Sequence, residues 1–178
     1  MAQKKPGKKD VVVGIAASGR TPFTIAAVQY ARRHGAKTVA MTCNRNSQLG
    51  KAAEIEIVVE VGPEVISGST RMKSGTAQKM VLNMLSSGAM TKLGYVYGNL
   101  MINVRTKNYK LAERAVTILQ RAAEVPRETA QQALRAAGSS VPLALIMLKT
   151  DANRAVAQRA LKAAGGNVRK AIATVKSG

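Results

Sequence analysis

Two short stretches bring hydroxyls, glycine and cations together in the order a phosphate-binding loop needs. The first is Ser18-Gly19-Arg20-Thr21, followed by Pro22. Ser18 and Thr21 supply hydroxyl donors, Gly19 lets the backbone approach a ligand closely, and Arg20 adds charge. Thr before Pro is also a helix start, with Thr21 as N-cap and Pro22 at the first helical position. The free N–H groups and positive partial charge of such a start suit an anion. An ordinary strand-to-helix turn, with Thr21 only capping its helix, fits this stretch equally well on its own. The second stretch is Glu64-Val65-Ile66-Ser67-Gly68-Ser69-Thr70-Arg71-Met72-Lys73. It too sets hydroxyls at a helix start and follows them with two cations. Glu64 is the only acidic residue between Val61 and Leu111. It fits a base, an acceptor for a sugar hydroxyl, or an ion-pair partner of Arg71 or Lys73.

Other chemistry is thinly supplied. A single histidine, His34, rules out arguing a Ser-His-Asp set and has no matching ligands for a metal. It lies at a helix end, where a cation is favoured, and reads as structural. Cys43, at a strand end near the ligand edge, reads as a small buried hydrophobe. The eight methionines read as core filler.

The two loops must be held by strands and helices, and the sequence supplies them. Val11-Val12-Val13-Gly14-Ile15 is a continuous β-branched run, expected of a strand buried on both faces of a parallel sheet. The helix opened by Thr21-Pro22 carries Phe23, Ala26, Ala27 and Tyr30 on one face and ends at His34-Gly35. Residues 37–43 form a second strand, 48–53 a short helix and 55–61 a third strand. This β-α-β-α-β order implies right-handed, parallel connections. After the second loop a long helix runs to about Leu93, with apolar residues on two sides, so much of its circumference is expected to be packed. Residues 95–104 are irregular or briefly extended. Beyond them lie helices near 107–123, 127–136, 141–149, 151–163 and 167–175, the last three short enough for a compact unit.

Composition limits the choice of function. The 178 residues are 46% apolar but only 3% aromatic, so the core is built from aliphatic side chains. No apolar run approaches bilayer length, no secretory signal stands at the amino terminus, and one cysteine allows no internal disulfide. These features favour a soluble cytoplasmic protein without a membrane partner. The charge is high: 28 Lys and Arg against 9 Asp and Glu, formally +19. It is spread along the chain, with its densest cluster at Lys4, Lys5, Lys8 and Lys9. Such a field attracts polyanions and small phosphorylated substrates alike. Near-absence of stacking aromatics argues against nucleic acid as the partner.

Together the motifs resemble the bacterial N-acetylmuramic acid 6-phosphate etherases, members of the sugar-isomerase (SIS) domain family. The resemblance is carried by residues 14–22, by Thr42-Cys43-Asn44 with Asn46-Ser47, and above all by the unbroken stretch from Val61 to Lys79. It continues through Val81–Leu85 and Tyr97–Met101 and, less sharply, into the helical tail. It implies an α/β fold: a partial SIS-type parallel sheet flanked by helices, followed by a small all-α carboxyl-terminal domain. The expected division is a basic head at 1–10, the SIS part at 11–105 and a helical domain at 106–178. The last part of that domain, around Gly165-Gly166, resembles a ubiquitin-associated three-helix unit.

The resemblance also implies a reaction. The etherases cleave the D-lactyl ether of N-acetylmuramic acid 6-phosphate to N-acetylglucosamine 6-phosphate and D-lactate, in cell-wall recycling. A carboxylate removes the C2 proton, lactate leaves from C3 and water adds back, with no metal or redox cofactor. Ser18, Gly19, Arg20 and Thr21 would hold the phosphate. Glu64, Ser69, Thr70 and Lys73 would contact the sugar. The family has a further stretch before the segment matching Val11, with another Gly-Thr-Ser-Gly-Arg loop and two glutamates credited with the acid and base roles. The expectation is therefore an amino-terminally truncated relative with no catalytic residue assigned in this chain. Its partners would be a phosphorylated amino sugar and either a second copy, as a homodimer, or a complementing chain. Two other functions are a non-catalytic sugar-phosphate-sensing SIS module and a basic nucleic-acid-associated protein.

Overall fold

The computed structural model describes residues 1–106 and 108–177. Two compact units emerge, residues 1–85 and residues 86–178.

In the first unit the expected alternation is present: β1 (Val11–Ile15), α1 (Pro22–Arg33), β2 (Lys37–Thr42), α2 (Gln48–Ala52) and β3 (Ile55–Val58). The strands lie in the order β1-β2-β3 and are parallel, with Val13 opposite Val39 and Val39 opposite Ile55. β3 ends three residues before the sequence suggested, although Val59 still donates to the Thr42 carbonyl at 2.9 Å. Because the strand order follows the chain, right-handed crossovers put both connecting helices on one face. α1 packs on β1 and β2, and α2 on β2 and β3. Ala16, Val28, Ala40, Leu49 and Ala52 form the core between them. Gly14 is glycine for a local reason: a Cβ there would stand 2.5 Å from Val28 Cγ2 and 3.2 Å from Leu49 Cδ1. Fully burying Leu49 stabilises this small core by about 2 kcal/mol.

The long helix α3 (Lys73–Lys92) exists as expected, but its surroundings differ. Ser74 is its one buried residue among those described, while Met80, Leu82, Met84, Leu85 and Met90 are exposed. Apolar residues all round a helix ask for neighbours on several sides. Among the described residues no element packs on α3 as extensively as the strands pack on α1 and α2.

In the second unit β4 (Val96–Tyr97) and β5 (Leu100–Met101) pair antiparallel. Five helices follow: α4 (Tyr109–Ala123), α5 (Arg127–Ala136), α6 (Val141–Thr150), α7 (Arg154–Ala163) and α8 (Val168–Lys176). Lys107, the first residue of the expected helix 107–123, lies outside the described residues. Asparagines set the starts: Asn108, Asn153 and Asn167 each accept a backbone N–H three residues on, at 2.9, 3.0 and 3.1 Å. α6 is apolar on most sides and sits at the centre, in contact with α4, α5, α7 and α8. Leu119, Val141, Leu145, Ile146 and Val168 are among the buried side chains of one continuous core. No helix among the described residues is long and apolar enough to cross a membrane.

Candidate functional site

The carboxyl ends of the three parallel strands are where an open α/β sheet gathers its ligands, and the loops leaving them are stitched together here. Gly19 turns the first loop at φ 65°. A Cβ on it would lie 2.3 Å from Ser47 Cβ, so the loop after β1 touches the loop after β2 at this point. The Leu49 amide donates to the Gly19 carbonyl at 2.9 Å. One turn away the Cys43 amide and the Asn44 side-chain amide both donate to the Ala17 carbonyl, at 2.9 and 3.1 Å. Ser47 accepts from the Gly50 amide at 2.9 Å and so caps α2. The first two loops therefore form one rigid wall.

The third loop closes the opposite side and is ordered by Glu64. Its Oε1 accepts the Ser74 amide and its Oε2 the Lys73 amide, both at 3.0 Å. A carboxylate at a helix start satisfies otherwise unpaired donors and favours the helix dipole. The Ser74 and Lys73 amides hold the Glu64 carboxyl below its ordinary range, helped by the Ser74 hydroxyl and the Lys73 charge. Of the roles the sequence left open for Glu64, the ion pair with Arg71 or Lys73 is replaced by these backbone bonds. Arg71 Nε donates to Ser69 Oγ at 2.8 Å instead.

Between the walls lies a cleft of about 280 Å³. Of the residues expected to bind, Ser18, Glu64 and Thr70 line it. Gly19 underpins the wall from behind. The Arg20 amide donates to Ser18 Oγ at 3.3 Å. Thr21 is the N-cap residue of α1, but its side chain makes no capping bond, so no side chain caps this helix start. Arg20, Thr21, Ser69 and Lys73 are not among the residues that line the cleft. Beyond the expected contacts, the lining includes four side chains with a polar or thiol group: Cys43, Asn44, Ser67 and Ser74. The signal for Asn44 is its place two residues beyond the carboxyl end of β2. Cys43 is half-buried and faces the cleft instead of the core. His34 plays the structural part expected of it, with Nδ1 2.8 Å from the Tyr30 carbonyl and its ring stacked on Tyr30.

Beside the apolar Ala17, Val61 and Pro63, this cleft presents hydroxyls, an amide and one carboxylate already engaged by N–H groups, a set that can hydrogen-bond an oxygen-rich ligand. Among the described residues no group of three or more His, Cys, Asp or Glu is placed to hold a metal.

Residues 6–87 match the family model of the SIS domain, and residues 98–138 match that of the carboxyl-terminal lid domain of glucokinase regulatory protein. Residues 6–87 are thus similar to a SIS domain. Within that class the chain is similar to the N-acetylmuramic acid 6-phosphate etherases. It is 55% identical over 142 residues to etherase 1 of Bacillus licheniformis, covering 80% of this chain and 47% of that protein. Identity to the Symbiobacterium thermophilum etherase is 56% over 147 residues, 83% and 48% of the two chains. For the Clostridium botulinum (strain Langeland) etherase it is 52% over 144 residues, 81% and 48%. The resemblance read from the motifs is borne out. The chain spans about half the length of the curated relatives it matches.

Proposed function

We propose that this chain forms the phosphosugar-binding part of an N-acetylmuramic acid 6-phosphate etherase. The observation that carries the reading is the polar cleft at the carboxyl ends of β1, β2 and β3, built from the same segments that carry the etherase motifs. The 6-phosphate rests at Ser18–Thr21, where the hydroxyls of Ser18 and Thr21 meet the uncapped start of α1 and Arg20 adds charge. The sugar lies across the cleft toward Thr70 and Ser69, with Lys73 at its edge. Glu64 holds the third loop against α3 and presents that wall to the sugar.

In the reaction of this family a carboxylate takes the C2 proton, the C3–O bond breaks with release of lactate, and water adds at C3 to give N-acetylglucosamine 6-phosphate. A base and an acid are needed in turn. Glu64 is already committed to two backbone donors, so the two carboxyl groups come from the part of the etherase this chain does not span. The working assembly that supplies them is then a complex with a complementing polypeptide, in the cytoplasm, and a second copy of this chain would add a second binding cleft only. We place the SIS part at residues 11–105 and the helical domain at 106–178.

Ser18→Ala combined with Thr21→Ala tests the phosphate assignment. The double variant should lose the thermal stabilisation that N-acetylglucosamine 6-phosphate gives the parent chain. Equal stabilisation of both would reject the assignment.

A further inference from the structure

The hairpin of β4 and β5 lies against α4, all within residues 86–178. Between them is a further cleft, of about 340 Å³. Arg114, Thr117, Ile118 and Arg121 line it from α4, and Asn99 and Leu100 from the hairpin. The four α4 positions fall at i, i+3, i+4 and i+7, so they form one stripe along the helix. Ile118 and Leu100 pack into the core below and give the cleft an apolar floor. Arg114 and Arg121 are exposed and stand about 10 Å apart along the helix axis. Neither has a hydrogen bond or ion pair to any described residue. The acid beside Arg114, Glu113, is taken by Arg127 at 2.6 Å. Arg121, in the last turn, complements the helix dipole. Arg114, in the middle of the helix, has no such role. Thr117 donates its hydroxyl proton to the Glu113 carbonyl at 3.0 Å, so its oxygen is left as an acceptor.

We propose that this cleft binds a small organic dianion, with one anionic group on each arginine and a short aliphatic body over Leu100 and Ile118. A cleft lined by charges of one sign concentrates counter-ions within it. Guanidinium groups present paired N–H donors that match the oxygens of carboxylates and phosphates. Two cations set about 10 Å apart at their backbone favour two anionic groups held apart over a single one. The Asn99 side-chain amide can donate a further bond and the Thr117 oxygen can accept one, so a hydroxyl on the body of the ligand also finds a partner. The phosphosugar reading uses none of these residues, and the proposal does not depend on it.

Calorimetric titration of the whole chain at fixed ionic strength tests it. The probes are the dicarboxylate glutarate, its phosphonate counterpart propane-1,3-diphosphonate, and the monoanion butyrate. At least one dianion should bind saturably at one site per chain, and the tighter of the two shows whether the site prefers carboxylate or phosphate-like oxygens. Butyrate should give no saturable heat. Arg114→Gln and Arg121→Gln should each weaken dianion binding by about tenfold or more. Both variants should fold, because the side chains are exposed. Lys162→Gln removes the same charge from exposed α7 surface and should leave binding unchanged. Absence of saturable binding by both dianions overturns the proposal. So does butyrate binding as tightly as the dianions, or an equal loss in Lys162→Gln, the sign of attraction to the net charge of +19 alone. N-acetylglucosamine 6-phosphate should titrate equally into the parent and both arginine variants. Loss of its binding in both would overturn the independence of this cleft from the phosphosugar cleft.

Discussion

At Gly19 two constraints coincide: a left-handed backbone and the Ser47 side chain where a Cβ would go. Gly19→Ala should therefore destabilise the first unit by roughly 2–4 kcal/mol, from backbone strain and overpacking together. Urea unfolding followed by far-UV circular dichroism checks it, and a loss below half of that range would mean that the two loops are not locked as described. Glu64 makes a different prediction, in pH. Its folded carboxyl titrates below its ordinary value because the ionised form holds the Ser74 and Lys73 amides. Its contribution is complete above the ordinary carboxylate value and is lost as pH falls through the depressed folded one. Glu64→Gln should thus be less stable than the parent at pH 7, and the gap in urea midpoint should close as the pH is lowered into the acid range. A gap that widens in acid would contradict the capping role.

The elements were readable where one local signal decided them. β-branched runs gave β1 and β2, Thr21-Pro22 gave the start of α1, and the helix-breaking glycines and prolines separated the helices of the tail. Asn153→Ala removes one of the asparagine caps and should cost about 1 kcal/mol of stability in the helical unit. A neutral result by urea unfolding would show that tertiary packing alone fixes that helix. What the sequence hid depended on groups distant along the chain. The bonds from Glu64 cross nine and ten residues, and the contact of Gly19 with Ser47 joins two different loops. No spacing rule announces either. The apolar pattern of α3 was read as burial, and the pattern is correct as chemistry. Among the described residues of that helix only Ser74 is buried. Of the residues proposed to bind, Ser18, Glu64 and Thr70 line one cleft because each sits in a loop leaving a strand end, which the β-α-β order does reveal.

If the cleft takes a phosphosugar as proposed, the whole molecule should bind it but not turn it over. The 178-residue chain alone, incubated with N-acetylmuramic acid 6-phosphate, should release no D-lactate above background in a coupled dehydrogenase assay. Steady release would mean that this chain holds a complete catalytic site. The net charge of +19 adds a long-range attraction for the dianionic phosphate, which salt screens over about 10 Å at 0.1 M. Association should accordingly weaken as salt is raised. The most direct test of the central claim is calorimetric titration of the chain with N-acetylglucosamine 6-phosphate beside unphosphorylated N-acetylglucosamine at equal concentration. The phosphorylated sugar should bind saturably at one site per chain and the unphosphorylated sugar should give no saturable heat. Equal heats from both sugars, or none from either, would contradict it.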